Sequence, residues 1–567
     1  MIESDLEKVI QAIEMPVCLS FDKVIPGEYD FVLQGKSRLW NIKVSFPEQF
    51  PYCLPSAKLL DTDLIGTLAH VNKNGTICLE EGDSVLVDYT RPLDIVCLFL
   101  NQIVSLLERM KLGIYQDELL DEFEGYFLPR KKINSFYYAQ NKLEWIYLRQ
   151  GNWNKNGQPK YIVPLFISDR NVSTPPQFSN IKNLGAFQRS KILHIPLDQS
   201  ILPPANGENI TSTYITAAKQ HIDEKNRKAL TKHLKKTSPH KLFFILLSMP
   251  RSSGERSQLL LRFDAEKSLP HPLLENNEEW SITPYSVKRH NKEYLLERGG
   301  AEKYLLDNKV AIIGCGSVGG EITTMLAKAG IGELTLVDHD ILDADNIYRH
   351  RLGGSYLNFL PSEKTGAINA WKKVDALAAM LKQDLPHITV NSKPLLFEQV
   401  INDPDIINAD VIVIAIGSPS VSLIINQTLK ALGHQNVIYC WNEAAGCGGH
   451  SVAVNLNHSC LECLYEKDGR ISAVNEISLV EPGQDISKNI TGCAGVFTPF
   501  SYLDSSRTAE AAAQQAIDML ISNKHSVIMS WKGDNAHNLR VTERYENMPL
   551  KQEMNLSKND QCRVCHG

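Results

Sequence analysis

No apolar run in this chain approaches the ~20 residues that a membrane-spanning helix needs. The N-terminus, MIESDLEKVIQAIEM, lacks both the basic start and the continuous apolar stretch of a secretory signal, so a cytoplasmic setting is expected. An excess of basic charge is missing too. The chain has 59 Lys and Arg against 65 Asp and Glu, a net charge of −6. That balance gives nucleic acid or an anionic membrane no electrostatic footing. There is no internal repeat and no low-complexity segment, so neither a repeat array nor a tail of biased composition is expected. What remains is an ordinary globular composition, 43% hydrophobic and 22% charged. At 567 residues the chain is too long for one core, and two to four domains are expected. Twelve cysteines in such a chain read as thiols, metal ligands or nucleophiles rather than as a disulfide framework.

Three blocks follow from the patterning. Residues 1–150 run from a helical start through strand-like FVLQG and LWNIKVSF to a proline-rich loop, PEQFPYCLP. A cysteine-containing loop and the amphipathic run LDIVCLFLNQIVSLLERM come next, the latter at helical spacing. In residues 151–288, YIVPLFIS, KILHIPL and KLFFILLSM read as buried strands, and AKQHIDEKNRKALTKHLKK as a solvated basic helix. No catalytic motif stands out there, and the block is read as a linker domain. From 289 to 567, VAIIG, ELTLVD, ITVNSKP, VIVIAIG and VIYCWN alternate with helical segments such as KTGAINAWKKVDALAAMLKQ, the pattern of a parallel sheet covered by helices.

Gly314, Gly316 and Gly319 follow the first of these strands and open a helix. Glycine is needed where backbone turns tightly against phosphate, and the helix N-terminus favours negative charge. Alone this suits any nucleotide binder. The next strand ends in Asp338, placed to hold ribose hydroxyls. The segment from Asp338 through Asp340 and Asn346 to Arg349 and His350 then resembles the D-x-D-x-V-x-x-S-N-L-x-R-Q signature of ThiF/MoeB-type and ubiquitin-activating (E1-like) enzymes. The resemblance implies ATP-dependent adenylation of a carboxylate, with Lys364 as the family's lysine and Arg349 beside it neutralising charge in the transition state. Two departures stand out. Gly417 follows the fourth strand where the family carries an acid that helps hold magnesium, leaving Asp340 as the candidate ligand. In RHNKEYLLERGG, Lys292 or Arg298 stands in for the family's arginine that reaches ATP across a dimer.

Cys460 and Cys463, and Cys562 and Cys565, form two C-x-x-C pairs. This spacing lets both sulfurs of a pair reach one tetrahedral zinc, and the separation suits a structural clamp on the C-terminus. His566 is read as incidental. Cys97 and Cys440 read as small core residues, and Cys315 sits inside the glycine loop. Cys493, before an alanine-rich helix, lies in a segment (Cys-Ala-Gly-Val-Phe-Thr498-Pro499-Phe500) that resembles the catalytic-cysteine region of the adenylating family. A helix N-terminus lowers a thiol's pKa and strengthens the nucleophile. Cys447 is the competitor.

In the first block, VSFPEQFPYCLPSAKLL resembles the F-P-x-x-Y-P-x-x-P-P segment of ubiquitin-conjugating (E2-like) enzymes, and His70 to Glu80 resembles their H-P-N…G-x-I-C-L-D region. The match implies Cys78 as thioester acceptor and Asn72 as donor to the oxyanion formed by an attacking lysine. Val71 replaces the proline, and the histidine-to-cysteine spacing is shorter than usual. The expected fold class is therefore α/β and α+β multidomain, with an N-terminal conjugating-like α+β fold, an α/β linker and a C-terminal Rossmann-like adenylation domain. One chain joining these parts resembles the E1–E2 fusion proteins of bacterial CBASS antiphage operons. That resemblance implies ATP, magnesium and zinc as cofactors. Its implied partner is a protein with an activated C-terminal residue, a cGAS/DncV-like nucleotidyltransferase, with lysine-bearing targets and a homodimer through the adenylation domain. An adenylyltransferase serving a sulfur carrier and a non-catalytic scaffold remain as alternatives.

Overall fold

The computed structural model describes the chain except residues 2, 80–86, 113–115, 122, 128–131, 151, 156–157, 163–165, 170–187, 205–208, 252–253, 275–277, 358–359, 362–367, 370, 386, 468–469, 490–495, 523–525 and 567. It divides into two compact units, Met1–Tyr294 and Leu295–Gly567. Among the described residues no helix is long and apolar enough to cross a membrane.

The first unit opens with a five-stranded antiparallel sheet, Cys18–Ile25, Glu28–Gln34, Leu39–Ser45, Ser56–Leu59 and Thr76–Ile77, in sequence order. Alternation puts Tyr29, Phe31 and Leu33, then Trp40, Ile42 and Val44, on one buried face. Onto the same core packs the helix Pro92–Lys111, with Pro92 at its first position and Ile95, Val96, Phe99, Leu100, Ile103 and Leu107 buried. Each such burial contributes about 1.5–3 kcal/mol. Glu108, near the helix end, accepts from the Trp40 indole at 2.8 Å and the Ser37 hydroxyl at 2.9 Å, which pins the helix to the sheet.

The rest of the unit is mixed α and β, as expected, but its organisation was not foreseen. Seven strands close into a barrel in the order Phe166–Ser168, Lys132–Ser135, Ser281–Arg289, Arg256–Leu269, His240–Pro250, Gln188–Pro196 and Glu144–Gln150. Two of these strands precede residue 151, and Lys132–Ser135 pairs in parallel with Ser281–Arg289. The basic helix Glu224–Leu234 buries only Asn226, Leu230 and Leu234, so its lysines face solvent as expected.

The second unit is built on an eight-stranded sheet. Thr389–Lys393, Glu333–Val337, Lys309–Ile313, Val411–Ile414 and Asn436–Asn442 run parallel, and Gly448–Asn455, Val527–Lys532 and Lys551–Asn555 continue antiparallel. All five apolar runs read from the sequence are the parallel strands. The helix Tyr502–Ser522 buries Ala509, Ala512, Ala513 and Ala516, and the small side chains let it lie close to the strands Asn436–Asn442 and Gly448–Asn455. One helical reading needs correction. The segment from Lys364 is not helical throughout; Ile368–Asn369 is a short strand, and the helix spans Lys373–Asp384. An isolated bridge between Ile341 and Lys372 keeps residue 372 extended, so the helix cannot start earlier.

Candidate adenylation and thioester sites

The strand Lys309–Ile313 lies between Glu333–Val337 and Val411–Ile414, where the strand order reverses, the place at which open α/β sheets receive ligands. Gly314 turns the chain here with φ +89°; a Cβ on it would lie 2.8 Å from the Ala415 carbonyl. A Cβ on Gly319 would run into the Gly314 carbonyl, and Gly316 caps the helix Ser317–Ala329. Asp338 is fixed against this loop. One of its oxygens accepts the Cys315 N–H at 2.8 Å and the other the Asp340 N–H at 2.8 Å.

Beside the loop opens a cavity of about 540 Å³ whose walls include Gly316, Asn346, Arg349, Lys373, Gly417 and Glu443. The side chain of Asn346 closes a capping box with Asp343, which fixes the short helical turn ahead of Arg349. His350 is buried and donates from Nε2 to the Cys315 carbonyl at 2.8 Å, tying that turn to the glycine loop. Burial lowers the His350 pKa. The Arg349 guanidinium stands 5.4 Å from the Phe500 ring centroid and 6.0 Å from that of Phe497.

Lys364 lies outside the described residues, and the lysine that the structure brings to the cavity is Lys373. It is buried, and its ammonium sits 2.8 Å from Asp340. Burial pushes the Asp340 carboxyl up, but the Lys373 hydrogen bond and charge outweigh it and hold the group below the ordinary carboxylate range. Sequence reasoning missed Lys373 because it placed that residue inside a longer helix. It also missed Glu443, which follows the fifth strand with no motif of its own. Gly417 has φ +73° and lines the cavity without a side chain. Lys292 and Arg298 are the first and last residues of one short helix.

Cys493 lies outside the described residues, but the end of its segment is defined: Thr498 and Phe500 line the same cavity. The competitor Cys447 is fully buried, and burial raises its thiol pKa. Cys315 and Cys440 are buried as well, Cys440 being pushed up to about 12, while Cys97 is only half-buried. In the first unit Cys78 is exposed directly after the strand Thr76–Ile77, its N–H donating to the His70 carbonyl at 2.7 Å. The Asn72 side-chain oxygen accepts from the N–H groups of Asn74 and Thr76 at 2.9 and 3.0 Å, which leaves its amide nitrogen as the remaining polar group. The loop is tied down by the Lys73 N–H to the Tyr126 carbonyl at 3.0 Å and by Lys73 Nζ to Asn209.

The four paired cysteines converge. Cys460 and Cys562 sulfurs are 3.6 Å apart, Cys463 and Cys565 also 3.6 Å, and Cys460 and Cys463 4.0 Å. Four 2.3 Å bonds to a tetrahedral zinc set sulfurs about 3.8 Å apart, so this donor set fits zinc. Hydrogen bonding among the sulfurs, led by Cys460, draws the Cys463 thiol well below the ordinary thiol range, while the Cys460 thiol is raised.

Two family profiles match this chain: the ThiF family over residues 291–564 and the prokaryotic E2 family B over residues 25–136. The "ATP-dependent ubiquitin transferase-like protein Cap2" of Pseudomonas aeruginosa is 23% identical over 509 residues, which cover 82% of each chain. The Cap2 protein of Vibrio cholerae is 28% identical over 41% of this chain and 38% of its own. The "Adenylyltransferase and sulfurtransferase MOCS3" of Arabidopsis thaliana is 26% identical over 35% of this chain and 41% of its own. Among solved structures, E. coli MccB aligns at TM-score 0.33 with 17% identity, over 48% of this chain and 67% of that one. A ThiF-type module and an E2-type module in one polypeptide, which aligns over 82% of its length with a ubiquitin-transferase-like protein, make this chain an E1–E2-like fusion transferase.

Proposed function

We propose that the chain adenylates the C-terminal carboxylate of a partner protein, moves the acyl group to Cys493 and then Cys78, and conjugates it to a lysine amine. A carboxylate oxygen attacks the α-phosphorus of ATP, and the bond to the β-phosphate breaks, releasing pyrophosphate. The Cys493 thiolate then attacks the acyl carbon and expels AMP. Exchange onto the Cys78 thiolate frees Cys493, and attack by an amine frees Cys78 and forms an amide that thiols no longer cleave.

The observation that carries this reading is the convergence on one cavity of the glycine loop, Arg349, Lys373 and the Thr498–Phe500 end of the Cys493 segment. Two anions must meet there, and a guanidinium and an ammonium fixed in place stabilise the charge that develops. Asp338 would hold the ribose, and Asn346 the triphosphate side. In the conjugating module, the Asn72 amide nitrogen would donate to the oxyanion. The four cysteines would hold a structural zinc. The partner is a cGAS/DncV-like nucleotidyltransferase by family resemblance, and its conjugation would prime antiphage defence. A homodimer is expected, with Lys292 or Arg298 reaching the second nucleotide. The protein would work in the cytoplasm.

ATP–pyrophosphate exchange in the presence of the partner tests the first step. Arg349→Ala should reduce exchange by about 10²–10³-fold. Wild-type exchange in that variant and in Lys364→Ala and Lys373→Ala alike would remove the site.

A further inference from the structure

The cavity of the second unit is lined by two carboxylates that the adenylation reading does not use, Glu443 and Glu481, and only Glu443 is held in place by buried partners. Glu443 follows the strand Asn436–Asn442, its side chain is 11% exposed, and it lines the cavity beside Arg349 and Lys373. Its Oε1 accepts from His450 Nε2 at 3.0 Å, and His450 is fully buried. His450 Nδ1 faces the Ser530 hydroxyl at 2.8 Å, and Arg544 reaches the same hydroxyl at 3.5 Å. The donor order is fixed by chemistry. A guanidinium only donates and a carboxylate only accepts, so Ser530 accepts from Arg544, and Nε2 carries the hydrogen given to Glu443. In the neutral ring Nδ1 then accepts from Ser530. This chain holds one carboxylate oxygen still and leaves Oε2 without a hydrogen-bond partner among the described residues.

A carboxylate in a pocket for a triphosphate and a substrate carboxylate is repulsive unless a cation stands between them. Magnesium takes oxygen ligands and is commonly held by one or two carboxylates together with substrate phosphates. The neighbouring strand offers no such group. Val411–Ile414 runs out to Gly417, and a Cβ built there would meet nothing within 4 Å. The two strands are parallel with Ile414 opposite Tyr439, so both chain ends emerge on the same side of the sheet. Asp340 is less suited, because the Lys373 ammonium at 2.8 Å already neutralises it. Glu481, the other carboxylate on the cavity wall, is exposed.

Resting on the adenylation reading, we propose that Glu443 is the protein carboxylate that faces the divalent cation of ATP, replacing the side chain absent at Gly417. His450 is its positioning residue. Titration calorimetry on the full chain tests this, with ATP in EDTA and with ATP in magnesium, alongside electron paramagnetic resonance of manganese added to the ATP complex. Wild type should bind ATP at least tenfold more tightly with magnesium. Glu443→Gln should bind metal-free ATP as well as wild type or better, because a repulsive charge is gone. Its gain from magnesium should fall below twofold, and its manganese signal should lose the protein-bound component. His450→Phe should fall between the two, and Glu443→Asp should recover part of the gain. A tenfold magnesium gain retained in Glu443→Gln overturns the assignment. So does a loss of metal-free ATP affinity in that variant equal to its loss with magnesium. A wild type that binds no ATP in either buffer instead overturns the adenylation reading beneath it.

Discussion

The Lys373 ammonium lies 2.8 Å from the Asp340 carboxylate, with Lys373 buried and Asp340 half exposed. A buried ammonium needs a counter-ion, and this one is placed so that the cation remains at the cavity wall. Lys373→Ala should therefore lower ATP–pyrophosphate exchange by about 10²–10³-fold. The adjacent Lys372, which donates to the His339 carbonyl and is half-buried, should tolerate alanine with exchange near wild type. Equal losses in the two variants would mean a general charge effect rather than a positioned cation.

Local chemistry explains what the sequence disclosed. The parallel strands are short β-branched runs between helices, and Gly314 sits where only glycine tolerates both φ +89° and the Ala415 carbonyl. The cysteine pairs were legible from spacing, although only the fold brings residues 460 and 562 together. The barrel was hidden because it closes through long-range pairing of Lys132–Ser135 with Ser281–Arg289, which no local pattern encodes. Lys373 was hidden because its position depends on the bridge from Ile341 to Lys372. Glu443 was hidden because its meaning depends on which strand lies beside Val411–Ile414.

The cysteine cluster should bind one zinc per chain. Because metal binding free energy is folding free energy, roughly 10–16 kcal/mol for structural zinc sites, Cys562→Ser should lower the melting temperature of the second unit strongly. Elemental analysis with thermal melts checks this. A metal-free wild type as stable as the metal-loaded one would contradict it.

Arg289 is buried between Glu255 at 2.7 Å and Glu124 at 3.1 Å, and it also stacks over Tyr294. Removing the cation takes the nearest counter-ion from the buried Glu255 and from the half-buried Glu124. Arg289→Ala should destabilise the first unit by about 3–5 kcal/mol in denaturant unfolding, while the triple variant Arg289→Met, Glu124→Gln, Glu255→Gln should lose less. A triple variant weaker than the single one would contradict the charge argument.

Burial pushes the His194 imidazole down to about 3, while it hydrogen-bonds Ser248 at 2.8 Å and faces the Tyr137 hydroxyl at 2.9 Å. The unfolded chain, with an ordinary histidine pKa near 6.5, binds the proton first. The stability from this group is thus fully present above pH ~6.5 and is lost as pH falls toward 3, by at most about 1.4 kcal/mol per pH unit. Urea midpoints between pH 7 and 5 should fall less steeply in His194→Gln than in wild type. Parallel slopes would contradict this.

One experiment reads the proposed sequential transfer through two cysteines directly. Wild type, Cys493→Ala and Cys78→Ala are each incubated with ATP, magnesium and the partner protein, and intact adducts are weighed by mass spectrometry with and without reductant. Cys78→Ala should accumulate a partner adduct that reductant removes and form no reductant-resistant conjugate. Cys493→Ala should form neither, yet keep pyrophosphate exchange. Reductant-resistant conjugates at the wild-type rate in Cys78→Ala would contradict this order of transfer, because the exposed cysteine of the conjugating module would then carry nothing.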